Sequence, residues 1–460
     1  MTISSRIIKS SFRDPSGFVF LDGGTIYRQI NKCYREHYEY LMGSGLYDAL
    51  TEAGLLLNHE EVDKLAGRSE LEYKVIRPEQ IDFLTYPYEW CFSQLRDAAP
   101  TTLAIQNIAF RFGMTLKDAS AYNVQFHQGK PIFIDTLSFE IYEEGHTWNA
   151  YRQFCQHFLA PLALMSCRDI RLSQLLRNNI DGIPLDLASS LLPIRSRLRF
   201  SLLSHIYLHS ISQRRYADKR VGTGRRISQQ AFLGLIDSLE SAVRGLSYEP
   251  AGTVWSDYYS DTNYSDDTLR QKESAVADFL DAVLPRSVWD IGSNTGRFSR
   301  LASSKGIQTL SIDSDPAAVE KNYLECLRIG DTKCLPLLAD LTNPSPGIGW
   351  RNEERIALIN RGTPDCVMAL ALVHHLVISN NVPPGLIAEF FAGICHSLII
   401  EFVPKADSQV VRLLRSRQDI FEDYSESGFA DAFRQYFTIS RKAPLSGSER
   451  VLFLMESKGN

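Results

Sequence analysis

The sequence VWDIGSNTGRFSRLA, residues 288–302, predicts a strand, a turn and a helix in succession. An apolar strand is expected to end at Ile291, and a helix to begin near Arg297, after a turn that holds Gly292 and Gly296. Glycine permits tight backbone angles there and lets a ligand approach the main chain closely. The amide groups at the helix start face the crevice where open α/β sheets bind ligands. The stretch therefore predicts a ligand-binding turn.

Short apolar strands alternate with amphipathic helices around this turn. The strands are predicted at Val288–Ile291, Gln308–Asp313, Cys334–Leu341, Cys366–Leu372 and Ser397–Val403. The intervening helices are predicted at Arg297–Ser304, Pro316–Ile329 and Leu386–Cys395. Such alternation is typical of a doubly wound, mostly parallel α/β sheet. After a further helix at Tyr424–Tyr436, two last strands at Thr438–Lys442 and Arg450–Met455 predict a closing antiparallel hairpin.

Acidic residues stand at the ends of the next two predicted strands. Asp313 follows Gly296 by 17 positions, a distance at which an acid commonly takes the ribose hydroxyls of a nucleotide. Asp340 ends the third strand, and His374 and His375 follow the fourth. A glycine turn or a lone acid is weak evidence by itself, so the order of these features along successive strands carries the interpretation.

In this order the motifs resemble those of class I S-adenosylmethionine-dependent methyltransferases, over roughly residues 255–460. The resemblance implies a seven-stranded Rossmann-like domain that uses S-adenosylmethionine. It also implies that the turn holds the methionine part of this cofactor. By the same resemblance, Asp313 binds the ribose and Asp340 contacts the adenine amino group. The implied cofactor residues are Asp290, Gly292, Ser293, Asn294, Gly296, Asp313, Asp340 and Leu341. Another nucleotide-binding Rossmann protein is the alternative, although the closing hairpin is unexpected for a nicotinamide-binding domain.

The implied reaction is the in-line displacement of a methyl group from a sulfonium. Positioning the nucleophile and excluding water can supply much of the barrier reduction. His374 or His375 could act as a base near neutral pH, or the pair could pack beneath the cofactor. Glu401, at the end of the fifth strand, is a second candidate base or else a surface acid or cap. The methyl acceptor stays open among a small molecule, a saccharide and a protein.

The N-terminal half carries a second pattern. Asp118 is followed by Asn123, and Asp135 closes the apolar run PIFID. This pattern resembles the catalytic loop and metal-binding strand of protein-kinase-like and aminoglycoside-phosphotransferase-like folds. In those folds the first aspartate orients the hydroxyl, while the asparagine and second aspartate hold magnesium. The resemblance implies that Lys74 and Glu89 form the lysine–glutamate pair of the same fold.

Two departures from the kinase pattern favour a degenerate scaffold. Leu116 stands where the usual histidine precedes the first aspartate, and no convincing glycine-rich loop precedes Lys74. An active ATP-dependent phosphotransferase and an assembly factor in which both halves are degenerate remain the alternatives. The two-part arrangement as a whole resembles bacterial proteins described as nodulation-related methyltransferases.

Composition limits the domain count and the partners. With 460 residues, 44% hydrophobic content and a net charge of −5, the chain is typical of a globular protein of two or three domains. That charge offers no general attraction to nucleic acid or anionic lipid. A basic stretch, RRYADKRVGTGRR, precedes a helix expected at Ser228–Gly245. We therefore expect a kinase-like domain over 1–212, a linker with a connecting helix over 213–254 and a methyltransferase domain over 255–460.

Cysteine usage and hydropathy bear on the compartment. The eight cysteines form no CxxC pair, so we expect no metal site and a reducing environment. The N-terminus lacks the apolar stretch of a signal peptide, and no run approaches the length of a membrane helix. A cytoplasmic protein with no membrane partner is therefore the expectation, and the sequence leaves its oligomeric state open.

Overall fold

The computed structural model describes residues 6–64, 70–208, 226–250, 266–415 and 417–459. The chain divides into two compact units. The first comprises Met1–Glu249 with Pro346–Ile356, and the second comprises Pro250–Ser345 with Ala357–Asn460. Most of the basic stretch of the expected linker lies outside the described residues. The three sequence-based domain boundaries stay predictions.

The first unit is built on antiparallel sheets. Its strands are β1 Arg6–Ile7, β2 Gly17–Asp22, β3 Thr25–Asn31, β4 His59–Val62, β5 Glu72–Pro78, β6 Met114–Leu116, β7 Val124–His127, β8 Lys130–Phe133 and β9 Phe139–Ile141. The first five form one sheet in the order β1-β2-β3-β5-β4, while β6 pairs with β9 and β7 with β8. Gly17 is required in β2 because a Cβ there would lie 2.1 Å from the Gln29 carbonyl oxygen.

Helices make up most of the remainder of the first unit. They are α1 Arg35–Gly43, α2 Leu46–Glu52, α3 Phe92–Arg111, α4 Tyr151–Phe154, α5 Ala160–Cys167, α6 Leu175–Asn178, α7 Leu185–Leu191, α8 Phe200–Leu202 and α9 Gln229–Arg244. The helix expected at Ser228–Gly245 is confirmed as α9, which begins where the Ser228 side chain accepts the Ala231 N–H. Phe232 of α9 stacks on Phe110 of α3, with ring centroids 4.3 Å apart. The connecting helix therefore packs within the first unit.

The second unit contains the predicted seven-stranded sheet. Its strands are β10 Ser287–Ile291, β11 Gln308–Asp313, β12 Cys334–Leu338, β13 Cys366–Ala369, β14 Ser397–Phe402, β15 Phe437–Pro444 and β16 Val451–Ser457. Their order is β12-β11-β10-β13-β14-β16-β15. The five strands β10–β14 run parallel, and β16 pairs antiparallel with both β14 and β15. The mostly parallel sheet with its closing hairpin is confirmed.

Helices cover the parallel part of the sheet, whose five strands are mostly buried on both faces. They are α10 Asp266–Val283, α11 Arg297–Ser304, α12 Pro316–Ile329, α13 Pro384–Ile394, α14 Ser408–Leu414 and α15 Glu426–Arg434.

Two strands of the sheet are shorter than the sequence predicted. The third strand ends at Leu338, and the fourth ends at Ala369. Extended backbone cannot continue through Ala371, which has a φ of 50°.

A short segment between β12 and β13 belongs to the first unit, which the sequence did not predict. In this segment, Pro346–Ile356, the buried Glu354 pairs with Arg13, and the Ile356 N–H donates to Tyr86 Oη at 2.9 Å. These contacts join residues hundreds of positions apart, so no local pattern reveals them.

Among the described helices, none combines the length and apolarity that crossing a bilayer requires.

Candidate cofactor site

A cavity of about 320 Å³ lies at the carboxyl ends of the parallel strands of the second unit. The segments that follow four successive strands line it, with Gly292 after β10, Asp313 ending β11, Asp340 after β12 and Leu372 after β13. The carboxyl ends of parallel strands meet at one edge of a sheet, which is why these segments converge. The crevice predicted from sequence is therefore present.

The glycine turn forms one wall of this cavity. Gly292 and Gly296 have φ values of 79° and 75°, a region that side chains disfavour. A Cβ on Gly296 would lie 2.0 Å from Asn322 Oδ1, so α11 can approach α12 only with glycine there. The side chain of Ser293 is buried in the turn, and its Oγ has no hydrogen-bond partner among the described residues. The turn thus contains a buried hydroxyl without a partner among the described residues, next to the cavity.

Asp313 ties the end of β11 to the glycine turn. Its Oδ2 accepts the Asn294 N–H at 2.7 Å, and its Oδ1 accepts the Asp315 N–H at 2.9 Å. Loss of solvation raises the pKa of Asp313 to about 6 despite these bonds. The carboxylate is oriented by backbone donors, and it titrates close to neutral pH.

The other two acidic residues differ from Asp313 in their surroundings. Asp290 is buried and accepts a 2.6 Å hydrogen bond from Ser299 Oγ, and loss of solvation raises its pKa to about 7. Asp340 is exposed, and its Oδ1 accepts the N–H and hydroxyl of Thr342 at 2.8 and 2.7 Å. Asp290 therefore joins β10 to α11, which lie on either side of the turn, whereas exposed Asp340 lines the cavity beside Leu341.

The structure separates the roles available to the two histidines. His375 lines the cavity, whereas His374 is fully buried and its two ring nitrogens have no hydrogen-bond partner among the described residues. Their ring centroids are 4.1 Å apart. Burial lowers the pKa of His375 to about 4, so its imidazole is neutral at physiological pH. Only His375 can meet a bound molecule.

Glu401 is neither a surface acid nor a lining residue of the cavity. It is fully buried on β14, where its Oε2 accepts bonds from Lys272 Nζ and the Ala371 N–H, both at 2.7 Å. Arg450 Nη1 lies 3.7 Å from its other oxygen and also pairs with Asp407. These contacts fix the carboxylate within an ion network below the cavity, which corrects the expectation of a surface acid. Lys272, which sequence analysis missed, lines the cavity beside this network.

In the first unit, three of the sequence-predicted residues come together. Asp118 Oδ1 accepts hydrogen bonds from the Ser120 N–H and from Gln153 Nε2, while the Asn123 amide donates to Ser138 Oγ at 3.1 Å. Ser138 Oγ in turn donates to Asp135 Oδ2 at 2.5 Å. Burial and the nearby Asp135 charge raise the pKa of Asp118. Ser138 thus links Asn123 to Asp135, and the role of the three residues stays a prediction.

Lys74 and Glu89, which were expected to pair with each other, each contact other residues. Lys74 Nζ lies 2.7 and 2.5 Å from the two oxygens of Glu61 on the adjacent strand. Glu89 is buried in a helical turn, where it accepts the Tyr86 N–H at 3.0 Å. The expected ion pair between Lys74 and Glu89 is therefore wrong, because Lys74 pairs with Glu61 on the neighbouring strand.

Sequence analysis missed an arginine that forms an ion pair with Asp135. Arg28 on β3 pairs with Asp135 through Nη1 and with Asp14 through Nη2. The Arg28 side chain is only 14% exposed, so this pairing is largely shielded from solvent. A lone arginine in a strand carries no sequence signal of such a role, because its partners lie far away in the chain.

No family model matches the chain. A search of known proteins finds nodulation protein NoeA of Rhizobium meliloti (strain 1021), which is 34% identical over 458 residues. The similarity covers 98% of this chain and 96% of that protein. The chain belongs to the NoeA family. Because the match runs through both units, NoeA membership applies to the chain as a whole.

Solved structures are similar to parts of this NoeA-family chain. WbdD, described as a bifunctional kinase–methyltransferase, is 16% identical with a TM-score of 0.31, and the match covers 42% of this chain and 40% of WbdD. Magnesium protoporphyrin IX methyltransferase (ChlM) of Synechocystis PCC 6803 with bound SAH is 16% identical, with a TM-score of 0.32 and coverage of 44% and 90%. N-methyltransferase NodS of Bradyrhizobium japonicum WM9 is 12% identical, with a TM-score of 0.31 and coverage of 42% and 98%.

Proposed function

We propose that the second unit transfers a methyl group from S-adenosylmethionine to an acceptor that awaits identification. The observation that carries the proposal is the convergence of the glycine turn, Asp313, Asp340 and His375 around one cavity at the carboxyl ends of the parallel strands. The sheet order and closing antiparallel hairpin support a class I methyltransferase domain over another nucleotide-binding Rossmann domain.

The residues present fit this cofactor. The carboxylate of Asp313 faces the cavity and is held by backbone donors, as binding of a ribose diol requires. Buried Ser293 Oγ offers an unused polar group at the glycine turn. Asp340 and Leu341 line the side of the cavity where the adenine would lie. The acidic lining is complementary to a sulfonium cation.

The cofactor, when bound, supplies an electrophilic methyl group that needs no further activation. The task of the chain is to position the acceptor and to exclude water. Leu370, Leu372 and Leu376 provide an apolar lining beside the glycine turn. His375, neutral because burial lowers its pKa to about 4, can accept a hydrogen bond that orients the acceptor nucleophile.

Calorimetric titration with S-adenosylhomocysteine tests this function. We expect saturable one-to-one binding to the wild-type chain and a large loss of affinity in Asp313→Ala. Asp281→Ala is the matched control, because Asp281 is exposed and pairs with Lys305 away from the cavity. A folded protein that does not bind, or an Asp313→Ala variant that binds like the control, would refute the proposal.

We also propose that the first unit is a kinase-like scaffold without phosphoryl transfer. The linked Asp118, Asn123 and Asp135 support the scaffold. The Arg28 guanidinium supports the loss of activity, because it neutralises the carboxylate that would hold magnesium. The active phosphotransferase is the alternative.

Titration with ATP and MgCl₂ separates these two functions of the first unit. We expect no binding by the wild-type chain. Magnesium-dependent ATP binding that disappears in Asp135→Ala would establish the alternative. Within the described residues the eight cysteines form no disulfide, which supports a reducing, cytoplasmic location for either form.

A further inference from the structure

The segment from Ile194 to Phe200 exposes three large apolar side chains. Ile194, Leu198 and Phe200 are 79%, 88% and 79% exposed. Single exposed apolar residues are ordinary, but three within seven residues are unusual and indicate an interaction site. We refer to residues 194–200 as the 194–200 surface.

The fold holds these side chains outward. Leu192 and Leu202 are buried on either side of the surface, and Ser196 is buried within it. Ser196 Oγ donates to the Pro193 carbonyl at 2.6 Å and lies 2.6 Å from Tyr207 Oη. The backbone is a short 3-10 helix, Ile194–Leu198, followed by α8. The apolar side chains are thus displayed by an anchored segment.

Three arginines alternate with the apolar side chains. Arg195, Arg197 and Arg199 are all exposed. Arg197 lies over the Tyr207 ring at 5.0 Å, and Arg199 donates to the Gly245 carbonyl at 3.4 Å. Within the described ranges, no carboxylate forms an ion pair with any of the three. This cationic character is local, because the chain as a whole has a net charge of −5.

The alternation favours one kind of partner. Protein interfaces commonly segregate an apolar core from a polar rim, whereas this surface mixes the two residue by residue. At a bilayer, guanidinium groups lie among the phosphates while adjacent apolar side chains reach just beneath them. Anionic headgroups complement these arginines, for which the described part of the chain supplies no carboxylate partner.

We propose that the 194–200 surface docks the protein on an anionic phospholipid bilayer. The attachment is peripheral and requires no membrane-crossing helix. This proposal differs from the sequence-based expectation of no membrane partner. That expectation rested on the net charge of the whole chain, which does not report a basic and apolar segment of seven residues. The proposal does not depend on the methyltransferase assignment, since it concerns only the first unit.

Sedimentation with lipid vesicles tests the docking of the full-length chain. We expect binding to phosphatidylcholine vesicles that contain phosphatidylglycerol, little binding to phosphatidylcholine alone, and weakening as salt rises. The triple variant Ile194→Ser/Leu198→Ser/Phe200→Ser should lose binding. Replacing each arginine by alanine should weaken binding by about fivefold.

The matched control replaces three exposed apolar residues of the second unit, Leu284, Leu386 and Ile420, by serine. This control should bind vesicles like the wild type. Circular dichroism should show that all variants keep their fold, because every substituted side chain is exposed. The proposal is overturned if the wild type ignores both vesicle types or binds them equally. It is also overturned if the 194–200 variants change self-association and leave vesicle binding intact.

Discussion

The Asn294 N–H donates a 2.7 Å hydrogen bond to Asp313 Oδ2, which joins the glycine turn after one strand to the acid that ends the next. The same carboxylate faces the cavity. The Asp313 side chain therefore both positions the turn and offers oxygens to a ligand. Substitution or protonation of Asp313 should weaken cofactor binding more than it lowers the stability of the fold.

The affinity for S-adenosylhomocysteine should fall in acid. Burial raises the pKa of Asp313 to about 6, and ribose hydroxyls donate better to the ionised than to the protonated carboxyl. Below that pKa, affinity should fall by up to about tenfold per pH unit. Calorimetry across pH 5 to 8 measures this change. In Asp313→Asn the affinity should be weak with a flatter pH dependence, and a wild-type affinity that rises on acidification would contradict the assignment.

Gly296→Ala should destabilise the protein more than Gly306→Ala. Both glycines have positive φ, at 75° and 83°, so each substitution incurs backbone strain of about 1–2 kcal/mol. A Cβ at Gly296 would also overlap Asn322 Oδ1, whereas nothing lies within 4 Å of one at Gly306. The added overlap costs about 1–3 kcal/mol. Urea denaturation gives the two free energies of unfolding, and equal losses would argue against the close approach of the helices.

Glu401→Gln should weaken the second unit by about 3–5 kcal/mol, because it leaves the buried Lys272 without its anionic partner. The exposed Glu389 on α13 provides the control, and Glu389→Gln should change the free energy of unfolding by less than about 0.5 kcal/mol. Denaturant titration monitored by circular dichroism compares the two variants. A wild-type stability for Glu401→Gln would mean that the ion network is dispensable.

His375→Ala should slow methyl transfer by about tenfold, because the hydrogen bond that orients the acceptor nucleophile is lost. His374→Phe should retain the wild-type rate, because His374 is buried away from the cavity lining. Incorporation of labelled methyl groups into a cell extract measures both rates. Because the pKa of His375 is lowered to about 4, its titration should add no pH dependence above about pH 5. Equal rates for the two variants would remove His375 from the mechanism.

Sequence reasoning was strongest where local patterns determine structure. The alternation of apolar strands and helices predicted the parallel sheet, and spacing predicted the turn and the acid at Asp313. It failed where partners are distant in the chain. Glu61 rather than Glu89 takes Lys74, and Arg28 binds an aspartate more than a hundred positions away. The burial of Glu401 also depends on packing among three elements, which no single stretch encodes.

A crystal structure of the chain with S-adenosylhomocysteine would show whether the cavity of the second unit is the cofactor site. We expect the ligand in this cavity, with its ribose hydroxyls at hydrogen-bond distance from Asp313 and its amino acid portion at the Gly292–Gly296 turn. The ligand bound elsewhere, or a cavity that stays empty at saturating concentration, would contradict it.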